Sequence, residues 1–110
     1  MSQNQSQNQL TLEELFDLIK NKISTKEAGS YSYELAQKGL ERITRKVGEE
    51  ALEVVIASFI NEQKATKQTR DDLIGEVGDL FYHTLVLLAS QGIEFSEILG
   101  KLTERNKSKK

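Results

Sequence analysis

The chain has 110 residues, 37% hydrophobic and 29% charged, enough for one domain with one modest core and too little for a multidomain machine. Fifteen basic against seventeen acidic residues leave a net charge of −2, too weak a field to hold a polyanion unaided, so nucleic acid is not an expected partner. The absence of cysteine excludes disulfides, thiolate zinc sites, iron–sulfur clusters and cysteine nucleophiles.

No apolar run approaches the roughly 18 to 20 residues of a membrane span, and the amino terminus is not of signal-peptide kind. The expectation is a cytoplasmic protein with no membrane partner. No proline and only seven glycines leave little to punctuate short strands, so the fold class is all-α. A chain this short buries only about 60 to 65% of its unfolded surface, so wide apolar helix faces call for a second copy to cover them.

Met1 to Gln9, polar after the initiator, reads as a disordered leader; the domain occupies 10–106, and 107–110 is a basic tail. Thr11 and Glu14 form a capping box that starts a helix running to about Ser24. Lys26 to Ser30 is a connection, and Ser30 caps a short helix that stops near Gly39. From Leu40 to about Asn61 a long amphipathic helix follows. After the polar stretch Glu62 to Gln68, Thr69 and Asp72 offer a second capping pair for a central helix ended by Gly92. A last helix starts near Ser96. The two central helices, joined by a short polar turn, should pack as an antiparallel pair at the centre of a helical bundle completed by dimerisation.

At about 100° per residue, Glu50 and Glu53 border the apolar stripe of the first central helix, and Glu76 and Asp79 border that of the second at the same angles. The pairs are close to equidistant from the turn, so an antiparallel hairpin brings four carboxylates together. Next to apolar side chains they repel and lose solvation unless cations neutralise them. Oxygen-only ligands suit Mg²⁺ or Mn²⁺, which join carboxylates to substrate phosphates. Glu49 stands one position away, as a ligand of a second metal or a group orienting water. The alternative is a solvated helix face, with Arg45 and Lys46 neutralising Glu49, Glu50 and Glu53.

The pattern Glu49-Glu50-x-x-Glu53 followed by Glu76-x-x-Asp79 resembles the MazG-like all-α nucleoside triphosphate pyrophosphatase superfamily. Within it, Ser30-Tyr31, Lys38-Gly39-Leu40, Lys46-Val47-Gly48-Glu49-Glu50-Ala51, Asp79-Leu80-Phe81-Tyr82-His83 and Leu85-Val86-Leu87-Leu88 resemble the phosphoribosyl-ATP pyrophosphatase branch over about Leu12 to Arg105. The resemblance implies Mg²⁺-dependent hydrolysis of 1-(5-phosphoribosyl)-ATP to 1-(5-phosphoribosyl)-AMP and pyrophosphate, the second step of histidine biosynthesis. It implies Glu50, Glu53, Glu76 and Asp79 as metal ligands, Glu49 and Glu50 as catalytic acids, and a homodimer or dimer of dimers whose sites draw on both chains. The expectation is the stand-alone form, without an attached cyclohydrolase domain.

Cations should help to meet the charge of the phosphates: Lys38, Arg42 and Lys46, with Arg45 beside them, precede the acids by up to about three turns. Solvated helix surface is the competing reading for each. His83, one turn beyond Asp79, is placed to hydrogen-bond a ligand carboxylate, or else to complete packing. Tyr31, Tyr33 and Tyr82 are candidates to stack on adenine or to pack. A di-iron carboxylate centre fails on ligand count, because the single His has no Glu three residues before it. Two alternatives stay open: a housecleaning (d)NTP pyrophosphatase with the same metal site, and a non-enzymatic helical oligomerisation module.

Overall fold

Thr11, itself extended, opens helix α1 (Leu12–Ser24) through a reciprocal capping box with Glu14, both bonds at 3.0 Å. Ser30 caps α2 (Tyr31–Lys38) by accepting from the Tyr33 N–H at 3.2 Å. Gly39, with φ of 95°, then turns the chain into α3 (Leu40–Gln63), a conformation strained for any residue with a Cβ. Two further helices, α4 (Lys67–Ser90) and α5 (Phe95–Ser108), complete an all-α chain with no strand among the described residues, 8–108 of a computed structural model. Residues 1–7 of the expected leader and 109–110 of the expected tail lie outside that range, and α5 runs on through Lys107.

The start of α4 departs from the sequence expectation. Thr66, not Thr69, is the N-cap: its hydroxyl accepts from the Thr69 N–H, and the Thr69 hydroxyl turns back to the Thr66 backbone and to Asn61 Oδ1 at 2.9 Å. Asp72 accepts from Gln68 instead. The first turn of α4 is mostly exposed and polar, so no apolar period marks it, and the cap alone fixes the boundary. The α3–α4 connection shrinks to residues 64–66, and a loop this short forces the two helices antiparallel.

α3 and α4 share the most extensive helix contact, while α1 and α2 pack over the open end of that hairpin. The core sits at this end: Phe16 and Ile19 from α1, Leu35 from α2, Ile43 from α3, and Leu85, Val86 and Leu88 from α4. α5 has no buried residue, although Phe95 and Ile93 pack against the core and Lys20 reaches Glu94 at 2.8 Å.

Toward the hairpin turn the packing thins. Leu52, Val55, Ile56, Phe59 and Ile60 of α3 and Ile74 of α4 are all exposed by about half or more, Phe59 by 66%. The radius of gyration is 16.2 Å, against about 13 Å for a globule of 100 residues. α4 is long and apolar enough, by length and composition, to cross a membrane, which corrects the expectation that no stretch comes near that length. In the fold it is the inner helix of the hairpin, and it carries Glu76, Asp79 and His83.

Because Phe16 is 2% exposed at the centre of the cluster, Phe16→Ala should lower the unfolding free energy by about 3–5 kcal/mol. Urea midpoints at equal protein concentration check this, and a loss under about 1 kcal/mol contradicts the described core.

Candidate metal centre

The carboxylates meet where the register of the hairpin brings them. Glu50 of α3 and Glu76 and Asp79 of α4 each offer an oxygen, and these oxygens all lie within 4.8 Å of one another. Glu53, one turn further along α3, shares with Glu76 a cleft of about 250 Å³ that continues toward Ile56, Ile60, Thr69 and Asp72. Helix spacing explains the set: i, i+3 on each helix puts both members of a pair on one face, and antiparallel packing faces the two pairs.

Glu76 is held above the ordinary carboxylate range. Partial burial is the largest cause, followed by the charges of Glu53 and Glu50, a hydrogen bond that protonated Glu76 donates to Glu53, and the charge of Asp79. All three other acids therefore act on Glu76, which places the four in one electrostatic group. Such a group binds protons in place of missing counter-charge, and its oxygen-only donors fit a hard divalent cation.

Lys46 supplies part of the neutralisation, with Nζ 3.6 Å from Glu50 and 3.7 Å from Glu49. Glu50 is the more buried of the two partners, at 12% exposure against 53%. Glu49 points to the Lys46 side of α3, outside the group of three oxygens.

His83 is buried and bonds the backbone, not a carboxylate side chain. Its Nδ1–H donates to the Asp79 carbonyl at 2.7 Å, and its Nε2 shares a hydrogen bond with the Tyr31 hydroxyl at 2.8 Å. Burial, the largest influence on Tyr31, raises its pKa and keeps the hydroxyl a donor; Tyr82 and Glu50 act in the same sense, and Lys46 and Arg42 oppose it. One residue on, Ser32 and Tyr82 share a hydrogen bond between hydroxyls. Tyr31 and Tyr82 stack on each other, with centroids 6.0 Å apart, and Tyr33 is half-buried. Sequence reasoning missed the Tyr31–His83 link because it depends on how α2 crosses α4. The only hint was a tyrosine directly after an N-cap serine.

Lys38, Arg42 and Lys46 line one cleft with Tyr31, whereas Arg45 pairs with Glu41 at 3.7 Å.

The profile of the phosphoribosyl-ATP pyrophosphohydrolase family matches residues 12–106. The phosphoribosyl-ATP pyrophosphatase of Listeria monocytogenes serotype 4b is 48% identical over 94 residues, covering 86% of this chain and 84% of that one. That of Lactiplantibacillus plantarum is 43% identical over 94 residues, covering 86% and 82%. That of Ignicoccus hospitalis is 38% identical over 98 residues, 89% of each chain. With the profile spanning nearly the whole chain and relatives this similar along most of their length, the protein belongs to the phosphoribosyl-ATP pyrophosphohydrolase family.

Proposed function

We propose that this chain hydrolyses 1-(5-phosphoribosyl)-ATP to 1-(5-phosphoribosyl)-AMP and pyrophosphate, the second step of histidine biosynthesis. Its relatives bear the name of that activity, and the meeting of Glu50, Glu76 and Asp79 within 4.8 Å is the observation that carries the reading for this chain. Glu50, Glu53, Glu76 and Asp79 are the residues to hold Mg²⁺, with Mn²⁺ as a substitute. Once bound, a divalent cation supplies the positive charge that phosphate oxygens and a departing pyrophosphate demand.

The protein's own groups do the remaining work. In this reading Glu49 or Glu50 orients the attacking water and takes its proton, Glu49 being the exposed one. Lys46 balances these two acids in the free protein and is free to turn to a phosphate oxygen when substrate arrives. His83 positions rather than reacts: through the Asp79 carbonyl it fixes the turn of α4 that presents the Asp79 carboxylate.

The reading includes a homodimer, or a pair of dimers. The bare apolar face of Leu52, Val55, Phe59 and Ile60 supports it, since a patch of that kind on a short helical chain is stabilised when a second copy covers it. Phe59→Lys should convert the assembly toward monomer in analytical ultracentrifugation; an unaltered sedimentation coefficient would rule this face out as the contact.

Glu53→Gln and Asp79→Asn should each cut pyrophosphate release from phosphoribosyl-ATP by a factor of about 100 or more while far-UV circular dichroism stays unchanged. Turnover that survives both changes rejects the site. Preference for ATP, dUTP or dCTP over phosphoribosyl-ATP rejects the substrate and retains the chemistry. Chelation should abolish release, and added Mg²⁺ should restore it.

The metal-free protein should also show a pH signature. Folded Glu76 binds its proton more tightly than the unfolded chain does, so stability is greatest below the ordinary carboxylate value and falls as pH rises through the raised one. In chelator, Glu76→Gln should flatten that slope and raise the melting temperature at neutral pH. A lower melting temperature in the variant would show that the charge of Glu76 stabilises the metal-free fold instead of straining it.

A further inference from the structure

The substrate named for this family carries one group that ATP lacks: a ribosyl 5-phosphate on position 1 of the base, on the ring edge remote from the ribose that bears the triphosphate. A protein that holds the triphosphate at the acid cluster needs a second anion site to tell the two nucleotides apart.

The order of residues along α3 offers such a site. Arg42, Lys46 and Glu50 follow at i, i+4 and i+8, so one stripe of the helix runs from cation to cation to acid over about 12 Å. Gly39 turns α2 into α3 so that Lys38, the last residue of α2, borders the same cleft as Arg42. This cleft holds about 250 Å³ and is walled by Tyr31, Glu34, Leu35, Lys38, Arg42 and Lys46. It opens beside the acid cluster without merging with it: Lys46 belongs to the cleft and also touches Glu50, so it marks the border between the cationic and the anionic halves.

The cations differ in what they already hold. Arg45 is occupied by Glu41, and Lys46 by Glu49 and Glu50. Among the described residues, Lys38 and Arg42 make no ion pair, although both are exposed and Glu34 lies on the same wall. Two cations outside any ion pair at one rim, with Arg42 about two turns from the acids, match a phosphate monoester standing away from a polyphosphate. The Tyr31 ring lies between the two regions, fixed by its bond to buried His83 and within the fields of Lys46, Glu50 and Arg42. It gives the intervening nucleoside a rigid, apolar wall.

We propose that Lys38 and Arg42 form the subsite for the ribosyl 5-phosphate, which makes them determinants of substrate selection and not partners of the triphosphate. This rests on the proposed hydrolysis of phosphoribosyl-ATP and adds the residues that distinguish that nucleotide from ATP.

The test is steady-state kinetics of the full chain in Mg²⁺ with phosphoribosyl-ATP, comparing the unaltered protein with Lys38→Gln, Arg42→Gln and the double variant. Ribose 5-phosphate and pyrophosphate serve as inhibitor probes of the two subsites. Each single change should raise KM by about tenfold, with the loss falling on KM and not on kcat, and should weaken inhibition by ribose 5-phosphate by a similar factor. Inhibition by pyrophosphate, read on the same variants, should move by less than about twofold. Parallel weakening of both inhibitors, or a fall in kcat as large as the rise in KM, would assign the two cations to the polyphosphate and overturn the proposal. An unchanged KM with unchanged ribose 5-phosphate inhibition would overturn it as a solvated surface. Failure of the underlying reading is separately visible, because it appears in the unaltered protein as no preference for phosphoribosyl-ATP over ATP, and it removes this subsite as well.

Discussion

Mutual repulsion among Glu50, Glu53, Glu76 and Asp79 is the constraint around which the fold is organised. Like charges this close destabilise any structure that holds them together, and the charges of Glu53, Glu50 and Asp79 add to partial burial in raising the proton affinity of Glu76. Two features away from the acids keep the hairpin closed. At one end Ile43 of α3 and Leu85, Val86 and Leu88 of α4 are clamped under α1 and α2. At the other the three-residue turn is tied by the Thr66, Thr69 and Asn61 hydrogen bonds. The acids occupy the middle span, where neither feature reaches and where a cation gains most by binding.

The second device is the latch of α2 on α4. Tyr31 to His83 and Ser32 to Tyr82 are two hydrogen bonds from adjacent residues of one helix to adjacent residues of another, so they fix both the position and the rotation of α2. Ser32 and His83 are buried, and a buried polar group is costly unless partnered, so the latch tolerates one crossing geometry and penalises others. His83 also occupies the carbonyl of Asp79, so the rotation of α2 and the presentation of an acid are set through one imidazole.

What could be read in the sequence follows from range. The caps at Thr11 and Ser30 are local, three residues across, and both hold in the fold. The register of the acids depends only on helix period and on an antiparallel turn, so the meeting of Glu50, Glu76 and Asp79, with Glu53 beside Glu76, is legible in the spacing alone. The cap at Thr66 is not, because polar residues outnumber apolar ones there and two threonines three apart compete for the role. The partners of His83 are illegible for a different reason: Tyr31 lies on α2, 52 residues away, and no period within one helix reports how another crosses it. Exposure of Glu49 beside half-buried Glu50 likewise depends on where α4 falls, not on the spacing of α3.

The distribution of apolar surface bears on the same helix. The chain concentrates its buried side chains at one end and leaves Leu52, Val55, Phe59 and Ile60 bare along α3, which also carries Glu50 and Glu53. Charge and grease therefore divide α3: one side carries Arg42 and Lys46 and then Glu50 and Glu53 along its length, and the side opposite, through Leu52, Val55 and Phe59, is apolar. The two sides demand different neighbours. Within the chain α4 meets the acidic part of the charged side, and Tyr31 closes part of its basic end. A second copy against the apolar side would immobilise α3 from behind while leaving the basic and acidic segments open along one line. Held this way, a single rigid helix can address a metal-bound polyphosphate and a distant phosphate monoester at a fixed separation, which a flexible loop could do only at a large cost in ordering entropy.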